Sequence, residues 1–462
     1  MLLIADDLGR NIGCYGEQAI RTPNIDRIAK EGTLFDMAFT STASCSPSRS
    51  VIYTGLHAHE NGQYGLNHDH HHFMTFDHIE TAPKLLGDLG YLTGIIGKVH
   101  VGPDYVYPWE VREALGTRNV AKVAERCNAF FQKAKSGERP FFLTVGFIDP
   151  HRDLTRGGFG NEEFEGVHDQ LYDPKAVSVP FFLSDAPGVR QELSEYYRAI
   201  HRMDEGVGMI MNSLTRAGMM DDTLVLFVSD NGPPFVNSKT TLYDAGVRLP
   251  LLVKCPNSLP GISNPNMVSF VDILPTLLDW AGQAQVKGKR KGRSFLPILS
   301  QEKIMDDWNH VFGSHTFHEI TNYYPTRFMR TRRYKYHRNI AWKLDFPFSV
   351  DLYGSLAWDD MRNSNPPMIG NRPLKNYVRR PAEELYDLDS DPREVDNIAQ
   401  DPAHKSQLLE CRQALEFWQK ETDDPWLFRD GMSLISMQGH IDEGMEVPDR
   451  FDFDVDRPGS KG

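Results

Sequence analysis

Four short apolar segments of this chain are each followed at once by polar side chains, and this repetition strongly constrains the fold. The segments and their polar followers are Met1 to Ala5 before Asp6 and Asp7, Leu92 to Ile96 before Lys98 and His100, Phe141 to Phe147 before Asp149 and His151, and Leu224 to Val228 before Asp230 and Asn231. Uninterrupted apolar runs of this length are typical of strands buried on both faces of a parallel sheet. Ligands bind beyond the carboxyl ends of such strands, so the four polar clusters predict one shared site.

The segments between these runs predict helices that cover the sheet. The stretch from Arg190 to Ala217, which Gly218 ends, predicts one long helix. A chain of 462 residues can also bury a large core. We therefore predict an α/β fold with a large, mostly parallel sheet sandwiched between helices.

The polar pairs after the first and last runs predict a metal site. Asp6, Asp7, Asp230 and Asn231 offer only oxygen ligands, which a hard cation such as Ca²⁺ or Mg²⁺ prefers, and we favour Ca²⁺. Each pair alone also suits a turn or a helix cap. Two such pairs at the ends of core strands favour the metal site over the turns.

Cys45 opens a short segment that carries its own signal. The segment reads Cys45-Ser46-Pro47-Ser48-Arg49 and predicts a helix start with proline in the first turn, where an anion can bind. A lone cysteine is more often a small buried thiol. The segment resembles the maturation signature of type I sulfatases, in which this cysteine becomes formylglycine and its hydrate supplies the nucleophile. The resemblance implies that a formylglycine-generating enzyme converts Cys45 in the same way.

Other segments extend the resemblance over roughly residues 1 to 430. Those shared across the family are Leu3-Ile4-Ala5-Asp6-Asp7, Thr93-Gly94-Ile95-Ile96-Gly97-Lys98, Asp149-Pro150-His151-Arg152 and Ser229-Asp230-Asn231-Gly232. The resemblance implies an alkaline-phosphatase-like sulfatase fold and one Ca²⁺ ion held by Asp6, Asp7, Asp230, Asn231 and the converted Cys45. It also implies that Arg49 orients the formylglycine hydrate, that Lys98 and Lys239 hold sulfate oxygens, that His100 acts as a base and that His151 protonates the leaving group.

A further set of segments resembles the sulfamidase branch of the family. It includes His71-His72-Phe73, His318-Glu319, and Asp424-Pro425-Trp426. This resemblance implies removal of the N-linked sulfate of N-sulfoglucosamine in heparan-type glycans, with His71, His72, His318 and Glu319 near the sugar. Two alternatives stay open. The first is an O-sulfatase of sulfated sugars or aryl sulfates. The second, which applies if Cys45 is not converted, is a non-catalytic, calcium-dependent binder of sulfated glycans.

The resemblance also implies a division of the chain. Residues 1–300 are expected to form the catalytic α/β domain, and residues 301–430 a C-terminal subdomain with a small antiparallel sheet and a terminal helix. Residues 431–462 are acidic and unpatterned and predict a tail. Within the subdomain, basic residues from Arg327 to Arg338 alternate with aromatic ones, which favours a strand with one solvated face.

The composition of the chain narrows the classes of binding partner and the cellular compartments that we expect. Fifty Lys plus Arg against sixty-three Asp plus Glu give a net charge of -13, which argues against broad binding to nucleic acid or anionic membranes. No apolar run approaches the length of a membrane span, and no signal peptide precedes the first predicted strand. Five widely spaced cysteines and the lack of a glycosylation sequon favour an exported or cytoplasmic bacterial enzyme over an animal lysosomal one. The expected partners are a sulfated glycan or monosaccharide and, by resemblance, a second subunit in a homodimer.

Overall fold

The computed structural model describes residues 1–283 and 290–427, together with residues 438, 439, 441, 442 and 444. Almost all of the predicted acidic tail, residues 431–462, therefore lies outside the described residues. None of the described helices combines the length and the apolar character that crossing a bilayer requires.

In the described part of the chain, eight strands form the main sheet. They are β1 Leu2–Ala5, β2 Thr33–Phe39, β3 Leu92–Gly97, β4 Val111–Ala114, β5 Phe141–Gly146, β6 Val225–Ser229, β7 Leu251–Lys254 and β8 Ile262–Ser269. Their order across the sheet is β4-β3-β5-β1-β6-β7-β2-β8, and β7 runs antiparallel to both of its neighbours while the other pairs are parallel. The prediction of a large, mostly parallel sheet is confirmed.

Helices cover both faces of this sheet. Among the described residues the α-helices are α1 Pro23–Glu31, α2 Cys45–Thr54, α3 Ala58–Asn61, α4 Ala82–Asp88, α5 Val120–Ser136, α6 Pro187–Arg216, α7 Asp244–Val247, α8 Ile273–Trp280, α9 Val350–Tyr353, α10 Leu356–Arg362, α11 Leu374–Val378 and α12 Lys405–Glu421. The predicted long helix is α6, which begins three residues before Arg190. Pro187 suits this start because the first turn of a helix needs no N–H from that residue.

The central strand β1 joins two hydrophobic cores. Leu3 and Ala5 belong to the core beneath α1, α5 and α6, whereas Leu2 and Ile4 belong to the core beneath α2, α4 and α8. Successive side chains of a strand point to opposite faces, so a strand that is apolar at every position must be covered on both sides. The register pairs Ile4 with Gly146 and Ala5 with Ser229, which brings the ends of β1, β5 and β6 together.

A second, antiparallel sheet lies in the C-terminal part of the chain. Its strands are β9 His310–His315, β10 Thr326–Thr331, β11 Tyr334–Asn339 and β14 Glu383–Asp387. The strands β12 Met368–Ile369 and β13 Arg372–Pro373 form a separate short hairpin. The sheet order is β14-β11-β10-β9, and α12 packs on it through Leu408, Leu415 and Trp418. A small antiparallel sheet with a terminal helix was predicted, and the structure has both. The domain boundary at residue 300 stays a prediction.

The prediction that the basic segment from Arg327 to Arg338 has one solvated face is wrong. The segment forms β10 and β11, and four of its basic side chains, Arg327, Arg330, Lys335 and Arg338, are buried. Their acidic partners come from distant parts of the chain, including Asp424 for Arg327 and Asp244 for both Arg330 and Lys335. Alternation along one strand cannot show such partners, and a buried cation needs them.

We expect Arg327→Ala to destabilise the protein strongly. The Arg327 guanidinium donates to both carboxylate oxygens of Asp424, with Nε–Oδ2 at 2.7 Å and Nη2–Oδ1 at 2.8 Å, and both side chains are fully buried. Removing one partner leaves a buried, uncompensated charge, which costs about 3–5 kcal/mol in the free energy of unfolding. Urea unfolding followed by circular dichroism measures the change.

The matched control is Arg379→Ala. Arg379 pairs with Asp345 at 3.4 Å, and both side chains are largely exposed, so we expect no measurable change. Equal unfolding free energies for the two variants would contradict a structural role for the Arg327–Asp424 pair.

Candidate active site

Residues from three of the four polar clusters, those after β1, β3 and β5, line one cavity beside the N-terminus of α2, and the cluster after β6 is buried next to them. The cavity has a volume of about 720 Å³. The predicted site residues that line it are Asp6, Cys45, His71, Lys98, His100, His151, Lys239, His318 and Glu319. Asp6, Lys98, His100 and His151 therefore share one pocket, as their positions after the strands predicted, and His318 and Glu319 join them as the resemblance implied.

Backbone geometry at the strand ends shapes this pocket. A side chain at Gly97 would place its Cβ 2.2 Å from the Gly146 carbonyl oxygen, and one at Gly146 would lie 2.1 Å from the Lys98 carbonyl oxygen. The two glycines thus let β3 and β5 approach closely at the end of β3, directly before Lys98. Asp7 and His100 adopt left-handed φ angles of 64° and 58°, which residues other than glycine rarely do. Such strain is typical of functional sites, where the surrounding structure holds it.

The predicted metal ligands form a buried cluster beneath the pocket. The side chains of Asp6, Asp7, Asp230 and Asn231 are buried, and Asn231 Nδ2 donates to Asp7 Oδ1 at 2.7 Å. One ligand atom each from Asp6, Cys45 and Asp230 lie within 4.8 Å of one another. Burial and the neighbouring Asp6 charge raise the pKa of Asp230. Neighbouring carboxylates repel one another when both are charged, and a bound cation relieves this repulsion.

The donor set of this cluster fits a hard divalent cation. Asp6 Oδ1 and Asn231 Oδ1 are buried and accept no hydrogen bond from the residues that the structure describes. Buried oxygen atoms are otherwise almost always paired, so two unpaired ones in one place point to an ion. All four side chains offer oxygen, which suits Ca²⁺ better than a transition metal.

Cys45 is the first residue of α2 and is buried beside this cluster. Its Sγ lies 3.8 Å from Asp7 Oδ1. Burial raises the pKa of the Cys45 thiol well above its ordinary value. An unmodified Cys45 would therefore stay protonated and be a poor nucleophile, because the thiolate is the reactive form.

Arg49 fixes the cluster from one turn further along α2. Its Nε donates to Asp230 Oδ2 at 2.8 Å, and its Nη1 donates to the Lys98 carbonyl oxygen at 3.2 Å. The guanidinium is fully buried and lies 3.8 Å from Asp6 Oδ1. Arg49 therefore ties the nucleophile helix to the ends of β3 and β6, and its orientation of a formylglycine hydrate stays a prediction.

Two lysines bring positive charge to the pocket. Lys98 Nζ contacts Asp6 Oδ2, and Lys239 Nζ lies 2.8 Å from Asp7 Oδ2. Burial opposes their charge, but the neighbouring carboxylates outweigh it and raise the pKa of both lysines. Both side chains therefore stay cationic and can bind an anion at the end of the sheet.

The two predicted acid–base histidines differ in their hydrogen bonds. His151 Nδ1 donates to the Arg152 carbonyl oxygen at 2.6 Å, and its Nε2 accepts from Lys239 Nζ at 3.0 Å. Neither ring nitrogen of His100 has a hydrogen-bond partner in the described part of the chain. Burial and a nearby lysine lower the pKa of both rings, so both are neutral in this arrangement.

The residues predicted to lie near the sugar are partly brought together. His71, His318 and Glu319 line the pocket, whereas His72 is not among its lining residues. His318 Nδ1 forms a hydrogen bond with Ser44 Oγ at 2.8 Å, directly before the nucleophile helix. The roles of all four in sugar binding stay predictions.

Sequence reasoning missed Asp351, which also lines the pocket. Its Oδ2 accepts from Lys239 Nζ at 2.9 Å. Asp351 belongs to the four-residue helix α9, far from the strand ends that located the other residues. No signal in the sequence distinguished it from other surface aspartates.

We expect Ca²⁺ to stabilise the protein through Asn231. A ligand that binds only the folded state stabilises it by about 2.7 kcal/mol at one hundred times its Kd. Asn231→Ala removes the unpaired Oδ1, so the rise in Tm on adding Ca²⁺ to chelator-treated protein should shrink strongly. Asn309→Ala, which alters an exposed amide, should keep the full rise. Equal Ca²⁺-dependent shifts in both variants would remove Asn231 from the metal site.

Comparison with known proteins places the chain in a family. A family model described as sulfatase matches residues 1–283, and one described as N-sulphoglucosamine sulphohydrolase, C-terminal, matches residues 236–346. The chain is 40% identical over 460 residues to N-sulphoglucosamine sulphohydrolase of Homo sapiens, covering 92% of this chain and 91% of that protein. It is 29% identical over 435 residues to an ulvan-active sulfatase of Formosa agariphila, covering 91% and 80%.

Solved structures agree on the fold. One, of a protein in complex with its substrate D-glucosamine-2-N,6-O-disulfate, superposes with a TM-score of 0.67 at 21% identity, covering 92% of this chain and 98% of that one. A 2-O glycosaminoglycan sulfatase superposes with a TM-score of 0.67 at 20% identity, covering 92% of each chain. The predicted fold class is confirmed, and with a sulfatase model matching residues 1–283 and a relative matching 92% of its length, the chain belongs to the sulfatase family.

Proposed function

We propose that this protein hydrolyses the N–S bond of N-sulfoglucosamine, as a monosaccharide or at the end of a heparan-type glycan, and releases sulfate and a free amine. One observation carries the proposal, the 40% identity over 92% of the chain with human N-sulphoglucosamine sulphohydrolase. The geometry supports it, because a nucleophile position, two lysines and two histidines line one cavity.

Lys98 and Lys239 are the proposed sulfate-binding groups. Both are cationic and lie on either side of the carboxylate cluster. Fixed charges in a site with little water stabilise developing negative charge far better than they would in bulk water. The N-terminus of α2, where Cys45 begins the helix, adds the positive end of a helix dipole beside the same anion.

The carboxylate cluster and residue 45 are the proposed positions of the metal and the nucleophile. Asp6, Asp7, Asp230, Asn231 and the converted Cys45 would hold Ca²⁺, which polarises the S–O bonds of a bound sulfate group. Formylglycine at position 45 would supply a hydroxyl nucleophile where the protonated thiol cannot. Arg49 holds the Asp230 carboxyl in place through its 2.8 Å hydrogen bond.

The two histidines are the proposed proton carriers. Neither ring nitrogen of His100 has a hydrogen-bond partner among the described residues, and its lowered pKa keeps the imidazole unprotonated, so a ring nitrogen is free to take up a proton. His151 is oriented by the Arg152 carbonyl, so that its Nε2 faces Lys239. An anionic sulfate group nearby raises the pKa of an imidazole, which would let His151 carry a proton to the departing nitrogen.

We expect the protein to prefer N-linked over O-linked sulfate. The test compares kcat/KM for N-sulfoglucosamine and for glucosamine 6-sulfate on Ca²⁺-loaded protein from a host that makes formylglycine. Conversion of Cys45 is checked first, by a peptide mass about 18 Da below the cysteine form. A preference for the O-sulfate would favour the O-sulfatase alternative. Glycan binding without turnover, with Cys45 left unconverted in protein from such a host, would favour the non-catalytic binder.

We expect His151→Ala to lose turnover and keep its metal. A general acid contributes roughly 10²–10⁴-fold to the rate, so kcat for N-sulfoglucosamine should fall within that range. The Ca²⁺-dependent rise in Tm should match that of the unsubstituted protein, because the oxygen ligands are unchanged. The control is His310→Ala, an exposed ring outside the pocket. Unchanged kcat in His151→Ala would remove the acid assignment.

A further inference from the structure

Asp351 is a carboxylate in the wall of the active-site cavity that no step described above uses. Its Oδ2 accepts from Lys239 Nζ at 2.9 Å, and its Oδ1 accepts from Ser349 Oγ. The side chain keeps 17% of its surface exposed toward the cavity, whereas that of Lys239 keeps 1%. An ionised carboxylate has about four acceptor positions, so two donors leave room for a ligand.

The surroundings of Asp351 favour its charged form. Burial opposes its charge, but Lys239, His151 and the Ser349 hydroxyl hold the pKa of the Asp351 carboxyl well below its usual range. Glu319, another carboxylate of the pocket lining, accepts from the Val350 N–H at 3.1 Å, and burial raises its pKa. Of these two carboxylates, Asp351 therefore loses its negative charge less readily.

Asp351 also shares a hydrogen-bond partner with His151, the proposed acid, and both line the same cavity. Lys239 Nζ contacts both Asp351 Oδ2 at 2.9 Å and His151 Nε2 at 3.0 Å. An atom that receives a proton from His151 Nε2 is thus linked to the Asp351 carboxylate by three hydrogen bonds, through Lys239. Lys239 stands between them and leaves a second acceptor direction of Asp351 toward the cavity.

Hydrolysis of a sulfamate and of a sulfate ester leave products of different charge. A sulfamate, R–NH–SO₃⁻, takes up one water, its N–S bond breaks with the electron pair going to nitrogen, and the products are R–NH₃⁺ and SO₄²⁻. A sulfate ester, R–O–SO₃⁻, takes up one water and gives the neutral alcohol R–OH and HSO₄⁻. Only the first reaction creates a cation on the sugar, and the substrate nitrogen also carries an N–H that the ester oxygen lacks.

We propose that Asp351 makes this site selective for N-linked sulfate by accepting a hydrogen bond from the substrate nitrogen and binding the ammonium that forms there. The inference rests on the proposed function. It assigns Asp351 a direct contact with substrate, in addition to its contact with Lys239.

The test uses two sugars that differ at one atom. Glucosamine carries an ammonium at C2 and glucose carries a hydroxyl there, so they represent the sugar products of N-sulfate and 2-O-sulfate hydrolysis. Their dissociation constants are measured by calorimetry at pH about 6, where such an amine is charged, on the converted, Ca²⁺-loaded protein. A hydrogen bond between charged groups changes affinity by roughly tenfold or more, so glucosamine should bind at least that much more tightly than glucose.

Asp351→Asn should remove this difference. The variant keeps the shape of the side chain and loses its charge, so the Kd of glucosamine should rise roughly tenfold while that of glucose changes less than about threefold. Asp351→Glu, which keeps the charge, should retain most of the preference. It also serves as the test variant if Asp351→Asn lowers Tm strongly. Asp345→Asn removes an exposed carboxylate of the same segment and should change neither constant.

Inorganic sulfate separates recognition from positioning. If Asp351 served only to hold Lys239, Asp351→Asn would weaken sulfate and glucosamine binding equally, and that outcome would overturn the inference. An unsubstituted protein that binds glucosamine no better than glucose would overturn it as well. A different result would show that the proposed function is wrong, because the unsubstituted protein would then not hydrolyse N-sulfoglucosamine.

Discussion

The balance of charge at the ends of β1 and β6 is the constraint on which the rest of this structure depends. Asp6, Asp7 and Asp230 lie side by side with no access to water. Buried charges must be paired, and here Arg49, Lys98 and Lys239 pair with them. The two lysines are also the proposed sulfate-binding groups. A divalent cation on the carboxylates would therefore free both lysines to face an anionic substrate, which links metal binding to substrate binding.

The fold places these charges by simple means. Strand β1 alternates its side chains between two cores, so its end at Ala5 is fixed from both sides. Two glycines let the neighbouring strand ends approach, and α2, with every residue buried, leaves its N-terminus at the same point. A rigid sheet can hold strained residues such as Asp7 and His100 because packing on both faces compensates for their unfavourable backbone angles.

The second sheet supports the site from behind. The Arg327–Asp424 pair joins β10 to the segment after α12. Beside it, His59 forms hydrogen bonds to Ser314 Oγ at 3.0 Å and Thr422 Oγ1 at 2.9 Å, and so ties α3 to β9 and to the end of α12. Because α3 follows α2 closely in the chain, these contacts connect the C-terminal part of the chain to the segment that carries Cys45.

The sequence by itself determined the parallel sheet, the edge at which the site lies and most of the residues there. Apolar runs and the polar residues after them are local features, and strands of one sheet end together, so Asp6, Lys98, His151 and Asp230 could be placed without coordinates. Tertiary structure alone decided the position of Asp351 in the pocket wall, the burial of the basic hairpin and the absence of His72 from the pocket lining. These depend on which distant side chains supply an opposite charge or fill a wall. Such pairings are set by packing in three dimensions, which periodicity along one segment does not encode.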